Sequence, residues 1–287
     1  MDSVPYLFAD SVVFLLSDLS NLTKASHIPE PWSNVVELYR EHIREYEIHI
    51  RTDGDDKWTC FVTESTSRHL SSVTSMLKTP EKYLRISGFG VSNFINSRDF
   101  AISKQEVLKL IPLVARNFRG NSAALNIRNA PETEISTCIF ENFKNVDILK
   151  QLTISYSGAE SEAFLNHVLS TQKLRELSLF KSWPSDILAK CCLCTNVRLP
   201  ALPGCCEVTL DICHLAIDRW SKTSGNKEFG IYGTNQLNFE VLKSRPFVSS
   251  YDSDSVWFEK PGFSLQLLIQ RNDYGFGKIK TVDSNIQ

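Results

Sequence analysis

The sequence predicts an α/β protein that begins with helices and ends in strands. Three observations carry this reading. Apolar residues between positions 12 and 43 recur at helical spacing. From about residue 83, short apolar runs alternate with one-sided helical stripes. After residue 255, apolar and polar residues alternate as they do along a strand with one buried face.

The elements follow in order. Val12, Val13, Leu15, Leu16 and Leu19 share one helical face, and Asp10 is placed to cap or open that helix. Pro29 and Pro31 interrupt the chain, and Trp32, Val35, Val36, Tyr39 and Ile43 form a second stripe. Tyr46–Ile50 then alternates, Asp53-Gly54 supplies a turn, and Trp58–Val62 resumes, which predicts a β-hairpin. The Ser/Thr-rich stretch 64–80 is expected to be irregular.

Tyr83–Ile86 predicts a strand. Gly88-Phe-Gly90-Val-Ser-Asn93 resembles the start of a dinucleotide loop. It lacks the third glycine, and the next helix opens ten residues too late, so a plain glycine turn is expected. That helix opens on Ser103-x-x-Glu106, a capping box, and runs through Val107, Leu108, Ile111 and Val114. Pro112 is expected to kink it or to mark its true start. Leu125–Ile127 predicts another strand.

The clearest internal signal is a repeat. Leu149, Leu152, Ile154 and Ser157 recur 25 residues later as Leu174, Leu177, Leu179 and Ser182 (149 to 174, 152 to 177, 154 to 179, 157 to 182). Phe164, Leu165, Val168 and Leu169 form a helical stripe between them. A strand plus a helix repeating roughly every 20–29 residues is the leucine-rich-repeat unit. An ordinary parallel α/β domain with similar buried strands is the other reading. Val208, Leu210 and Ile212 are expected to form a degenerate later strand. Leu215, Ile217 and Trp220 belong to a short helix ending at Ser224-Gly225. Phe229–Ile231, Ser255–Phe258 and Phe263–Ile269 are then expected to close the domain as an antiparallel sheet.

Composition narrows function mostly by exclusion. The 287 residues carry 31 basic and 33 acidic side chains, a net charge of -2, which gives no bulk drive toward nucleic acid or anionic membrane. No signal peptide and no stretch of membrane-spanning length is read, so an intracellular location, cytoplasmic or nuclear, is expected. Its reduced thiols follow from that. Six of eight cysteines fall at 191–213 (Cys191, Cys192, Cys194, Cys205, Cys206, Cys213), followed by His214. Zinc prefers paired ligands with regular spacing, and this cluster reads instead as small buried hydrophobes. No metal or cofactor is expected. Walker, H-E-x-x-H and G-x-S-x-G motifs are not found, and the six histidines are scattered, so no catalytic residue is assigned.

Residues 4–38 resemble a degenerate F-box. Val4-Pro5 takes the place of the family's Leu-Pro, and Val12, Val13 and Leu16 fall at its apolar steps. Asp18-Leu19 with Leu22 resembles the opening of its second helix, and Trp32 with Val35 resembles its third. Leu7 stands where an acidic residue is usual, and His27–Pro31 lengthens the spacing to Trp32. Met1–Phe8 also resembles the opening of a large group of nematode F-box-like proteins.

The resemblance implies two domains, 1–45 as an F-box-like helical module and 46–287 as a leucine-rich-repeat-like recognition domain. It implies a non-catalytic substrate-recognition subunit of an SCF-type ubiquitin ligase. Pro5, Phe8, Val12, Leu16, Leu19, Leu22, Trp32 and Val35 would contact the Skp-type adaptor. Strand alternation sets Asn126, Arg128, Thr153, Ser155, Ser178 and Phe180 on the face expected to meet an unknown target protein. The alternative is a stand-alone repeat module whose N-terminal helices serve as a structural cap.

Overall fold

A computed structural model describes residues 5–15, 27, 30–53, 57–65, 67, 69–93, 99–119, 123–128, 133–146, 149–171, 174–194, 197–201, 209–222, 230–233, 242, 244–251, 255–260, 263–270 and 276–282. The chain divides into two compact units, Met1–Lys150 and Gln151–Gln287. Helices and strands alternate as the α/β reading expects, with eight helices among the described residues.

The first unit opens with α1 (Tyr6–Leu15) and α2 (Trp32–His42). Pro5 starts α1: its carbonyl accepts from the backbone N–H of Phe8 at 2.9 Å and of Ala9 at 3.2 Å. Asp10 therefore lies inside the helix and does not open it, because Pro5 has already supplied the first acceptor. Ala9, Val13, Val35, Val36, Tyr39 and Ile43 bury their side chains together with Tyr83.

Strands β1 (Arg44–Thr52) and β2 (Trp58–Glu64) form the expected antiparallel hairpin, pairing Ile48 with Val62 and Ile50 with Cys60. Gly54 of its turn lies outside the described residues. The 64–80 stretch is more regular than expected. It holds β3 (Leu70–Ser71) and the single turn α3 (Val73–Met76), whose cap Ser72 accepts from Ser75 N–H. A 3-10 turn at Glu81–Tyr83 leads into β4 (Leu84–Ser92).

Gly88 and Gly90 thus sit within a strand, neither in a loop nor in a turn. A Cβ on Gly90 would stand 2.8 Å from His49 Nδ1, and one on Gly88 would stand 3.1 Å from Glu47 Cγ. The glycines make room for side chains of the neighbouring strand, which is the use of glycine in a strand interior. β4 runs parallel to β1, with a register shift at Tyr46/Glu47.

β5 (Phe100–Ile102) pairs with β2. The capping box then opens α4 (Lys104–Arg116): Ser103 and Glu106 bond reciprocally, and Pro112 sits inside the helix. β6 (Ala124–Ile127) lies parallel to β4. Phe89 of β4 stacks at 5.6 Å on Phe143 of α5 (Thr133–Phe143), and Phe118 meets the same ring edge-on at 5.0 Å.

In the second unit, β7 (Gln151–Ser155) and β8 (Glu176–Phe180) are parallel. Leu152 faces Leu177 and Ile154 faces Leu179, so residues offset by 25 in sequence stand side by side. Leu149 and Leu174 are also buried. Between the strands, α6 (Ala159–Ser170) buries Phe164, Leu165 and Val168. After β8 come α7 (Ser185–Leu193), β9 (Arg198–Ala201) parallel to β8, and α8 (Leu210–Lys222).

The expected strand at 208–212 is therefore corrected. Leu210 and Ile212 lie in α8, whose buried residues Ile212, Cys213, Ala216, Ile217 and Trp220 follow helical spacing, and Val208 lies outside the described residues.

The C-terminal strands form the expected antiparallel sheet. It comprises β10 (Gly230–Gly233), β11 (Val248–Tyr251), β12 (Ser255–Lys260), β13 (Phe263–Gln270) and β14 (Phe276–Val282), in the order β10-β14-β13-β12-β11. Among the described residues no helix is long and apolar enough to cross a membrane.

Candidate functional site

The N-terminal helix pair has two unlike faces. Its inner face is the cluster around Tyr39, whose hydroxyl reaches the Asp10 carbonyl at 3.5 Å. Burial, with Asp10 adding to it, pushes the Tyr39 phenol up to about 12. Arg85 secures the end of α1. It is 3% exposed and donates to the Phe14 carbonyl at 3.3 Å and to those of Lys82 and Leu84 at 3.1 and 3.0 Å. The Phe14 ring lies 5.3 Å from the Arg85 guanidinium and 4.2 Å from that of Arg119. Burial, and then Arg119, brings Arg85 down to about 10.

The outer face is bare. Tyr6, Leu7 and Phe8 are exposed in one turn, Leu7 at 77%. Phe8 meets Trp32 edge-to-face at 6.1 Å, so an aromatic pair bridges α1 and α2 at the surface. Consecutive exposed apolar residues of this size mark an interaction surface more often than chance placement does.

Of the residues assigned to adaptor contact, Pro5 and Phe8 are exposed, Val12 and Trp32 are half-buried, and Val35 is fully buried in the inner cluster. Leu16, Leu19 and Leu22 lie outside the described residues. Tyr6 and Leu7 join the bare face without having been assigned to it.

The residues assigned to target contact fall on two strand faces, one in each unit. In the second, Thr153 pairs with Ser178 and Ser155 with Phe180. Thr153, Ser178 and Phe180 are half-buried, whereas Ser155 is buried. In the first, Asn126 is half-buried, its Oδ1 finds no partner among the described residues, and Arg128 is exposed.

Asn126 has neighbours that sequence reasoning missed. It pairs with Gly90, Gly90 with His49, and His49 with Phe61, so these four form one row across β6, β4, β1 and β2. Cross-strand partners share a face. Phe61 lies 5.9 Å from the His49 ring and 5.4 Å from the Arg51 guanidinium. Arg51 is held by buried Asp99 at 2.9 Å, and Thr59 donates to the same carboxylate at 3.3 Å. Burial lowers the His49 pKa. The available signal was the pair of glycines in an otherwise buried strand.

The cysteine segment is built differently. Cys191, Cys192 and Cys213 are buried thiols that form no disulfide among the described residues, and Cys205 and Cys206 lie outside those residues. Arg219, 7% exposed, donates to the carbonyls of Cys191 at 3.1 Å, Cys192 at 3.4 Å and Val197. It adds a charged donor at the end of α7, where the Cys191 carbonyl also accepts from the Cys194 N–H at 3.2 Å. Burial pushes the Cys192 and Cys213 thiols up to about 12, so both stay neutral at physiological pH. Among the described residues no three His, Cys, Asp or Glu side chains are grouped to hold a metal ion.

No family model matches the chain, and neither the curated proteins nor the solved structures contain a match to it.

Proposed function

We propose that the chain is a non-catalytic substrate-recognition subunit of an SCF-type ubiquitin ligase. Its N-terminal helices dock on the Skp-type adaptor, and its strand faces hold the target protein. The observation that supports docking is the bare turn Tyr6-Leu7-Phe8 braced by Trp32. A short helical module binds a partner by leaving such an apolar stripe uncovered. The F-box resemblance supplies the kind of partner. On the target side, Phe180, Thr153 and Ser178 offer partly exposed surface in the second unit. Asn126, Arg128 and the row through His49 and Phe61 offer it in the first. Cysteines that form no disulfide among the described residues fit a reducing compartment, cytoplasmic or nuclear.

One observation favours a second reading, a stand-alone leucine-rich-repeat-like module capped by its own helices. The inner face of α1 and α2 shares its core with Tyr83, and Arg85 bonds the end of α1. A pull-down with purified adaptor separates the two. Docking predicts capture by the intact chain and loss of capture in Phe8→Asp. A pure cap predicts no capture, with residues 1–45 protected from proteolysis.

A further inference from the structure

The first unit contains a cleft of about 500 Å³ far from the bare turn in sequence, lined by α3, β5 and α4 over Cys60. Small-molecule sites occupy about 300–1,000 Å³ and combine apolar walls with a few polar groups. Here the walls are Val73, Leu77, Phe100, Ile102, Leu110 and Leu113. Leu77 and Phe100 are each about half exposed, so the cleft presents large apolar side chains to water.

Its floor is uncharged: burial pushes the Cys60 thiol up to about 12. The lining carries two charged groups. Glu106 is drawn back onto the start of α4, accepting from Ser103 N at 2.8 Å and Ser103 Oγ at 2.7 Å. There the positive end of the helix partly offsets its charge. Lys109 is the lining's one cation and is exposed.

We infer that this cleft binds a single-chain amphipathic carboxylate, its hydrocarbon tail along Leu77, Phe100, Leu110 and Leu113 and its carboxylate at Lys109. The chemistry favours this occupant over a peptide segment. An extended peptide brings an amide at every residue, each costly to bury without a partner. A fatty acid brings one polar end, and the cleft has one cation for it.

Displacement of a dansyl-tagged fatty acid from the intact chain tests this, with dodecanoate, dodecanol and an acetylated Leu-Phe-Leu amide as competitors. Dodecanoate should displace the probe at a single site. Leu77→Glu, at an exposed position, should weaken both dodecanoate and dodecanol by about tenfold or more, since it replaces an apolar contact with the tail by a charge. Lys109→Gln should weaken dodecanoate by about threefold and leave dodecanol unchanged, as befits a partly exposed ion pair. Far-UV circular dichroism of both variants should match the parent. Three results would overturn the inference: no saturable displacement, affinities unchanged in both folded variants, or a tripeptide that competes better than dodecanoate.

Discussion

The helix pair α1–α2 and the helix pair α7–α8 use the same device to different ends. In each, a buried arginine from further along the chain reaches carbonyls at a helix C-terminus: Arg85 at Phe14, Arg219 at Cys191 and Cys192. A guanidinium suits this task because it offers five donors in a fixed fork and helix ends leave carbonyls open. The pairs differ in what they leave outside. α7 and α8 bury Ile187, Leu188, Cys191 and Cys192 with Ile212, Cys213, Ala216 and Trp220, and leave Leu193 exposed at the end of α7. α1 buries Ala9 and Val13 yet exposes Tyr6, Leu7 and Phe8. The difference is one of extent: α7 leaves one large apolar side chain outside at its last residue, whereas α1 leaves three in a single turn.

Four changes would break or sharpen this contrast, from the largest effect to the smallest. Arg219→Ala leaves three backbone carbonyls without their charged donor, and should lower unfolding free energy in urea by about 3 kcal/mol. A loss under about 1 kcal/mol would show that the arginine does not hold the α7–α8 pair.

Alkaline pH should act on the same pair. The folded-state pKa of Cys192 and of Cys213 is raised from the usual 9.0 to about 12. Between those values the unfolded chain gives up protons that the folded chain keeps. Stability is therefore full below pH 9 and falls as pH rises toward 12, by about 1.4 kcal/mol per thiol per pH unit. Cys192→Ala should flatten that slope in urea titrations at pH 8 and 10, and an unchanged slope would place the loss elsewhere.

Ser103→Ala removes a capping box outside both pairs and should cost about 1 kcal/mol, visible as a lower urea midpoint. Leu7→Ser, on the bare turn, should change unfolding free energy by less than about 0.5 kcal/mol. A large loss there would mean that Leu7 is packed and the contrast fails.

The readable parts of the fold were those whose signal is local or periodic. The hairpin announced itself by alternation around Asp53, the capping box by Ser103 and Glu106, and the β7–β8 register by a 25-residue offset that becomes side-by-side pairing. The α8 helix was misread because Leu210 and Ile212 alternate. Its helical period emerges only when Cys213 and Ala216 count as apolar. Gly88 and Gly90 were misread because glycine usually marks a turn, while here it accommodates His49 and Glu47. Contacts between distant residues left no trace in sequence. Arg85 finds Phe14 across 71 residues, and Arg51 finds Asp99 across 48. At the candidate site, Phe8 and Trp32 were picked out by resemblance. Val35 belongs to the same amphipathic stripe but faces inward, a distinction that spacing alone does not make.

Isothermal titration of the intact chain with purified Skp-type adaptor tests docking most directly, run beside a Leu7→Asp/Phe8→Asp double variant of matched thermal stability. The expected result is saturable one-to-one binding by the parent chain and no detectable heat with the variant. Absence of binding by the parent, or equal binding by the variant, would contradict docking through the bare turn of α1.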